Sequence, residues 1–275
     1  MTRVRIAHPV VDAARGGARG TSLGGGGGAV YLAMPDDVVA LTGPETPEMP
    51  NGIALPGPVP ELPSGTSVTL APGGLTWSGG SIALDDAEVY DPTVPTIEPG
   101  PWLHERAAYI NALPAEPELA LEGTEILRRA IESLDVDLAL EAARVLTGRG
   151  GGLTPEGDDL LAAAAGTAHA LAWPAPWIRA LTHLSSPSGA TKQAPGTTEV
   201  QNAPPEPEAR TTRLSASLLR HAAEGRLIAP MLALLDPNGV EWRVAVDRLA
   251  VLGHSTGRAY LRAAALVMAA SPGPD

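Results

Sequence analysis

Four glycines within residues 148–152 lead into a stretch that is apolar on every side, and nothing else in the chain restricts the fold as strongly. From Leu160 to Trp173 the sequence reads LLAAAAGTAHALAW, with no formal charge at neutral pH. A helix without a polar face belongs inside a protein, covered by other elements. The chain must therefore build a helical bundle around this segment. Thr154 is placed to cap the helix, its hydroxyl accepting from N–H groups that the first turn leaves unpaired. Pro155 then takes the first helical position, where its missing N–H costs nothing. Glu156, Asp158 and Asp159 set negative charge at the positive end of the helix dipole. Asp158 precedes Leu161 and Ala165 by three and seven residues, so it shares their face. A carboxylate buried there needs hydrogen bonds, a cation or a ligand. Two readings follow: the pair caps the helix and ties down the loop, or it meets a ligand. The glycines favour the ligand, because they let backbone approach it closely and take positive φ.

The rest of the composition narrows the partners. The formal charge is −12, and Lys192 is the only lysine. Nucleic acid and anionic membrane reward a clustered basic face, so neither is expected as a partner. With no cysteine in the chain, disulfides, thiolate catalysis and zinc–cysteine clusters are excluded. Phenylalanine is absent too, which leaves alanine, leucine and valine to fill the core. No long apolar run follows the first arginines, and none reaches the length of a spanning helix. The expected compartment is the cytoplasm.

Residues 1–98 read as strands and turns. Short β-prone runs at 4–7, 29–33, 38–41, 67–70 and 81–84 are punctuated by glycine and proline, as in an antiparallel sheet or small barrel. The glycine run 24–28 has no helix pattern after it and no lysine-serine ending, so it reads as a flexible turn rather than a phosphate loop. Asn51-Gly52 is a further turn signal. From 99 onward the period becomes helical. Helices are expected over 102–113, 118–134, 136–146, 177–184, 212–224, 226–235, 240–252 and 258–270, with Leu138, Ala142 and Val145 on one stripe. His104-Glu105 lacks the second histidine of a zinc-protease helix, since position 108 is alanine. Residues 185–209, rich in serine, proline, threonine and alanine, read as a disordered insertion within the helical domain. Ser217 and His221 lie one helical turn apart, but no nucleophile turn or oxyanion site accompanies them. Surface hydrogen bonding is the expected role. The fold class is thus α+β: a β-rich domain over 1–98 and an α-helical domain over 99–275 with a buried central helix.

The octet at 152–159, Gly-Leu-Thr-Pro-Glu-Gly-Asp-Asp, resembles the signature of the AllH-like family, formerly described as a domain of unknown function. The family's usual form has serine where Glu156 stands. The loop at 253–257, Gly-His-Ser-Thr-Gly, is similar to the family's late motif, Gly-His-Thr-Ser-Gly followed by tryptophan and aspartate. Here Arg258 and Ala259 take those last two places. The helix around 211–225 is similar to the family's middle segment, so the resemblance covers most of 145–270. It implies a subunit of oxamate carbamoyltransferase, a transferase of purine-nitrogen catabolism whose activity belongs to an assembly. An older carboxylase label for the family implies a carboxylase-like enzyme instead.

Two sets of residues form the expected site. Arg149, the backbone N–H groups of Gly150, Gly151 and Gly152, and Thr154 hold an anionic oxygen, with Gly157 at the helix start. Asp158 and Asp159 are the expected catalytic carboxylates, orienting an amide or a cation such as magnesium, which favours carboxylates. His254, Ser255, Thr256 and Gly257 open a second small-residue helix. Two helix starts facing each other make a polar pocket suited to an anion. The expected partners are a small anionic metabolite and the other subunits of a carbamoyltransferase complex. The competing reading is a non-catalytic subunit in which the loop is a structural hub, since no nucleophile, metal set or cofactor fingerprint is present.

Overall fold

The computed structural model describes residues 3–114, 122–183 and 210–272. In its first part nine strands form one sheet: β1 (Arg5–Ala7), β2 (Ala18–Gly26), β3 (Ala29–Ala33), β4 (Val38–Thr42), β5 (Gly52–Ala54), β6 (Ser67–Ala71), β7 (Gly74–Trp77), β8 (Gly80–Ala83) and β9 (Glu88–Tyr90). Their order is β8-β7-β6-β2-β3-β4-β5-β1-β9. Most neighbours are antiparallel, and β2–β3, β3–β4, β6–β7 and β7–β8 are joined by short turns. The exceptions are β4 with β5 and β1 with β9, which run parallel, so the sheet is mixed rather than purely antiparallel. β4 is buried along its whole length, because elements cover both of its faces.

Helices fill the remainder: α1 (His8–Arg15), α2 (Pro101–Asn111), α3 (Glu122–Ser133), α4 (Val136–Leu146), α5 (Glu156–Ala170), α6 (Ala175–Thr182), α7 (Arg213–Ala223), α8 (Ala229–Leu235), α9 (Trp242–Ala250) and α10 (Thr256–Ala269). The α+β class holds. α5 is the buried centre, its residues covered on every side as its composition demands. α10 packs along it, alanine against alanine, and α4, α6 and α7 close the other sides.

Several local expectations need correction. α1 lies within the stretch read as strands: His8 begins it with Pro9 in its first turn, and Val10 and Ala14, one turn apart, face the core. The glycine run 24–28 is only partly a turn, since Gly24, Gly25 and Gly26 end β2. There glycine is required by close approach, because a Cβ on Gly25 would stand 2.2 Å from the Ala29 carbonyl oxygen. The buried stripe of α4 is Ala139, Ala142, Ala143 and Leu146, shifted by one residue from the one expected. Arg226 precedes α8 and makes a β-bridge with Thr93. The insertion expected at 185–209 lies outside the described residues.

The sheet and the helices have separate hydrophobic cores, and a small third cluster of Val38, Leu214 and Leu218, flanked by Tyr31 and Met49, joins them. Backbone hydrogen bonds reinforce that seam, from Val94 to Gly225 at 2.8 Å, Leu227 to Pro92 at 3.0 Å and Ile97 to Ala170 at 2.8 Å.

Candidate functional site

Thr154 does not cap α5. Pro155 occupies the cap position, and its carbonyl accepts the Asp158 and Asp159 N–H groups at 2.9 and 3.1 Å. The Thr154 hydroxyl sits one residue too far back to reach them. It lies instead 3.1 Å from the hydroxyl of Thr256, the first residue of α10. α10 also starts without a side-chain cap. The two glycine-led helix starts therefore meet, hydroxyl to hydroxyl, as the sequence suggested. Each start crosses the end of the preceding helix. A Cβ on Gly157 would fall 2.0 Å from the Leu146 carbonyl oxygen, and one on Gly257 would fall 1.6 Å from that of Leu249. Gly157 thus faces Leu146, and its N–H donates to the Arg149 carbonyl at 2.8 Å.

The two aspartates have different surroundings. Asp158 is buried, and both oxygens are engaged: Oδ1 accepts the Gly148 N–H at 2.9 Å and Oδ2 accepts the Thr211 hydroxyl. Burial raises its carboxyl above the usual range, and these hydrogen bonds pull it part of the way back. Asp159 is 2% exposed, and among the described residues its Oδ2 has no hydrogen-bond partner. Burial pushes this carboxyl well above the usual range. The hydroxyls of Thr256 and Thr154 favour its charged form, while the charges of Asp158 and Glu156 oppose it. An isolated carboxylate in an apolar interior favours its protonated state.

Two tyrosines join this cluster without having been singled out in the sequence. Tyr260 is buried on α10, its phenol raised by burial and then by the charges of Asp159 and Asp158. Its place one turn after Thr256 was the available signal. Tyr31, on β3, is raised by burial and then by the Asp159 charge. No local pattern links β3 to α5, so sequence spacing carries no trace of it.

The rim is open. Arg149, Gly150, Gly151, Gly152 and His254 are exposed, Ser255 is half-buried, and Thr154, Thr256, Asp158 and Asp159 lie beneath. Gly148, Gly150 and Gly152 have φ of 74°, 105° and 92°, the left-handed backbone that glycine supplies. Among the described residues no three His, Asp or Glu side chains converge in a set able to hold a metal ion. A cavity of about 940 Å³ lies elsewhere, between the glycine end of β2 and the proline-rich turn before β6.

Ser217 and His221 are not on the surface, as had been expected. Both are buried on α7 and both meet Asp37, which follows β3. The Ser217 hydroxyl and Arg220, at 2.8 Å, reach Asp37 Oδ1, and His221 Nε2 lies 2.8 Å from Oδ2. Arg226 Nε donates to His221 Nδ1 at 2.8 Å, which assigns the ring proton to Nε2 and points it at Asp37. Asn51 Nδ2 donates to Ser217 Oγ at 3.1 Å and to the Val38 carbonyl at 2.7 Å. Burial works against the Asp37 charge, but His221, Ser217 and the Val38 N–H outweigh it and hold the carboxyl at about 2. With the Ser217 hydroxyl donated to Asp37 and His221 held between Asp37 and Arg226, this is a clamp between sheet and helices rather than a serine nucleophile.

Residues 146–268 match the family described as oxamate carbamoyltransferase subunit AllH. That segment runs from the end of α4 into α10 and contains both glycine loops, both aspartates and the α7 face of the clamp. No curated protein and no solved structure gives a match to the chain. No helix among the described residues is long and apolar enough to cross a membrane.

Proposed function

We propose, taking the AllH segment at 146–268 as premise, that this protein is the subunit of a carbamoyltransferase complex that binds a small carboxylated amide, with oxamate the first candidate. On this reading it serves purine-nitrogen catabolism. One observation carries the proposal: the buried Asp159 oxygen without a partner among the described residues, set between two helix starts that lack side-chain caps. Leaving a buried acceptor unpaired costs about 1–3 kcal/mol, and an amide N–H of a bound ligand removes that cost. The exposed N–H groups of Gly150, Gly151 and Gly152, with Arg149, suit the ligand's carboxylate. Asp159, inclined to its protonated form, adds little repulsion to an anionic ligand. Carbamoyl transfer asks mainly for orientation and for donors facing a developing oxyanion, and a loop rich in N–H groups offers both. Partner subunits of the assembly supply the remaining groups.

Titration of the full chain with oxamate in a calorimeter tests this. The wild type should bind and Asp159→Asn should not. Retention of wild-type affinity by Asp159→Asn removes Asp159 from the site. A second reading, the loop as a structural hub without a ligand, draws on the saturation of Asp158, whose two oxygens already hold Gly148 and Thr211. It predicts no oxamate binding by the wild type.

A further inference from the structure

Tyr31 sits on β3, outside the segment of family resemblance, and its surroundings mark it as more than packing. Its cross-strand neighbours are Gly24 on β2 and Ala40 on β4, so small or absent side chains leave room around the ring. Its side chain packs against the seam cluster of Val38, Leu214 and Leu218, which includes the first turn of α7. That turn is where Thr211 and Thr212 hold the glycine loop, Thr211 through Asp158 and Thr212 through the Leu153 carbonyl at 2.7 Å. α7 is itself fastened to the turn between β3 and β4, by Arg213 on the Met34 carbonyl and by the Asp37 clamp. These ties set Tyr31 near the start of α7, which Thr211 links to Asp158. Its hydroxyl makes no hydrogen bond with any described residue, although the side chain is half-buried.

We infer that Tyr31 completes the ligand site from the sheet side, donating its hydroxyl proton to the carboxylate or carbonyl oxygen of the small carboxylated amide bound at Asp159. The inference rests on the ligand-binding reading above and extends the site to a residue of the N-terminal sheet. Burial, and then the charge of Asp159, keep the phenol above its ordinary range, so it remains a donor throughout the neutral region. A tyrosine in that role discriminates as well as binds. A ligand without an acceptor oxygen at that point leaves the phenol unpaired.

The test is oxamate titration of three full-length proteins: wild type, Tyr31→Phe and Asp159→Asn. Phenylalanine keeps the ring in its seam, so the thermal midpoint of Tyr31→Phe should match that of the wild type. Its oxamate affinity should fall about tenfold or more, the loss expected for one hydrogen bond to a charged group. An independent readout is the ¹⁹F signal of 3-fluorotyrosine at position 31, assigned by its absence in Tyr31→Phe, which should shift on addition of oxamate. If Asp159→Asn loses binding while Tyr31→Phe stays within twofold of wild type and the fluorine signal does not move, Tyr31 is not in the site and the carboxylate reading survives. If wild type fails to bind oxamate, or Asp159→Asn binds as well as wild type, the site reading falls and the role of Tyr31 falls with it.

Discussion

Asp159 and Asp158 are adjacent, yet replacing each by asparagine should have opposite consequences for stability. Asp159 has a folded-state pKa raised by burial, so the folded protein holds its proton more tightly than the unfolded chain. Its contribution is favourable below the unfolded value of about 4 and is lost as pH rises through the folded-state value. Asparagine stays neutral throughout. Asp159→Asn should therefore raise the thermal midpoint at pH 7 by about 2–4 °C, the shift that 1 kcal/mol gives in a chain of this size, and flatten the decline above pH 4. A stabilised protein without ligand binding is the pattern expected of a functional group kept at the expense of the fold. A lower midpoint at pH 7, measured by calorimetry, would contradict the burial argument. Asp158 accepts at both oxygens, whereas asparagine offers one acceptor and turns a donor toward either Gly148 or Thr211. Asp158→Asn should cost about 1–2 kcal/mol in urea unfolding.

The elements divide according to how local their causes are. α4 matches the expected 136–146 because Asp135 caps it through the Asp137 and Leu138 N–H groups, a signal contained within the sequence around it. α5 was legible because the charge-free run from Leu160 to Trp173 admits few other arrangements. β5 and β9 are three residues each and exist through partners far away in sequence, so no window around them could reveal them. The same holds at the site. The aspartates and both glycine loops announced themselves, whereas Tyr31 reaches them only through tertiary packing. Gly157 tests the helix crossing directly. Since its Cβ would overlap a backbone oxygen rather than the end of a flexible side chain, Gly157→Ala should destabilise by about 3 kcal/mol or more, or leave little soluble protein. A midpoint within 1 °C of wild type would mean that α4 and α5 move apart freely.

Across the whole molecule, the Asp37 clamp ties sheet to helices through α7, which also holds the glycine loop. Asp37 has a depressed carboxyl, so its stabilisation is present above the unfolded value near 4 and is lost as pH falls toward 2. Asp37→Asn should cost about 2–3 kcal/mol at pH 7, as hydrogen bonds to a charged group are lost, and should remove that acid limb from the stability profile. Hydrogen exchange should quicken in α7 before it does in α5. Unchanged exchange in α7 would show that the seam cluster alone holds the two parts together.

The pairing of α5 with α10 has a consequence for what the site can tolerate. The two helices pack against each other, and Ala162, Ala163, Ala164, Ala165 and Ala168 of α5 and Ala259, Ala263, Ala264 and Ala265 of α10 are all buried. Alanine has no rotamers to change, so the floor beneath Asp159 cannot reshape itself by turning side chains. A ligand one methylene too large finds nothing that will swing aside. Room can be made only by sliding one helix along the other, which the crossings at Gly157 and Gly257 resist. Discrimination by size should therefore be steep: affinity should drop abruptly along a homologous series of acid amides instead of declining by even steps.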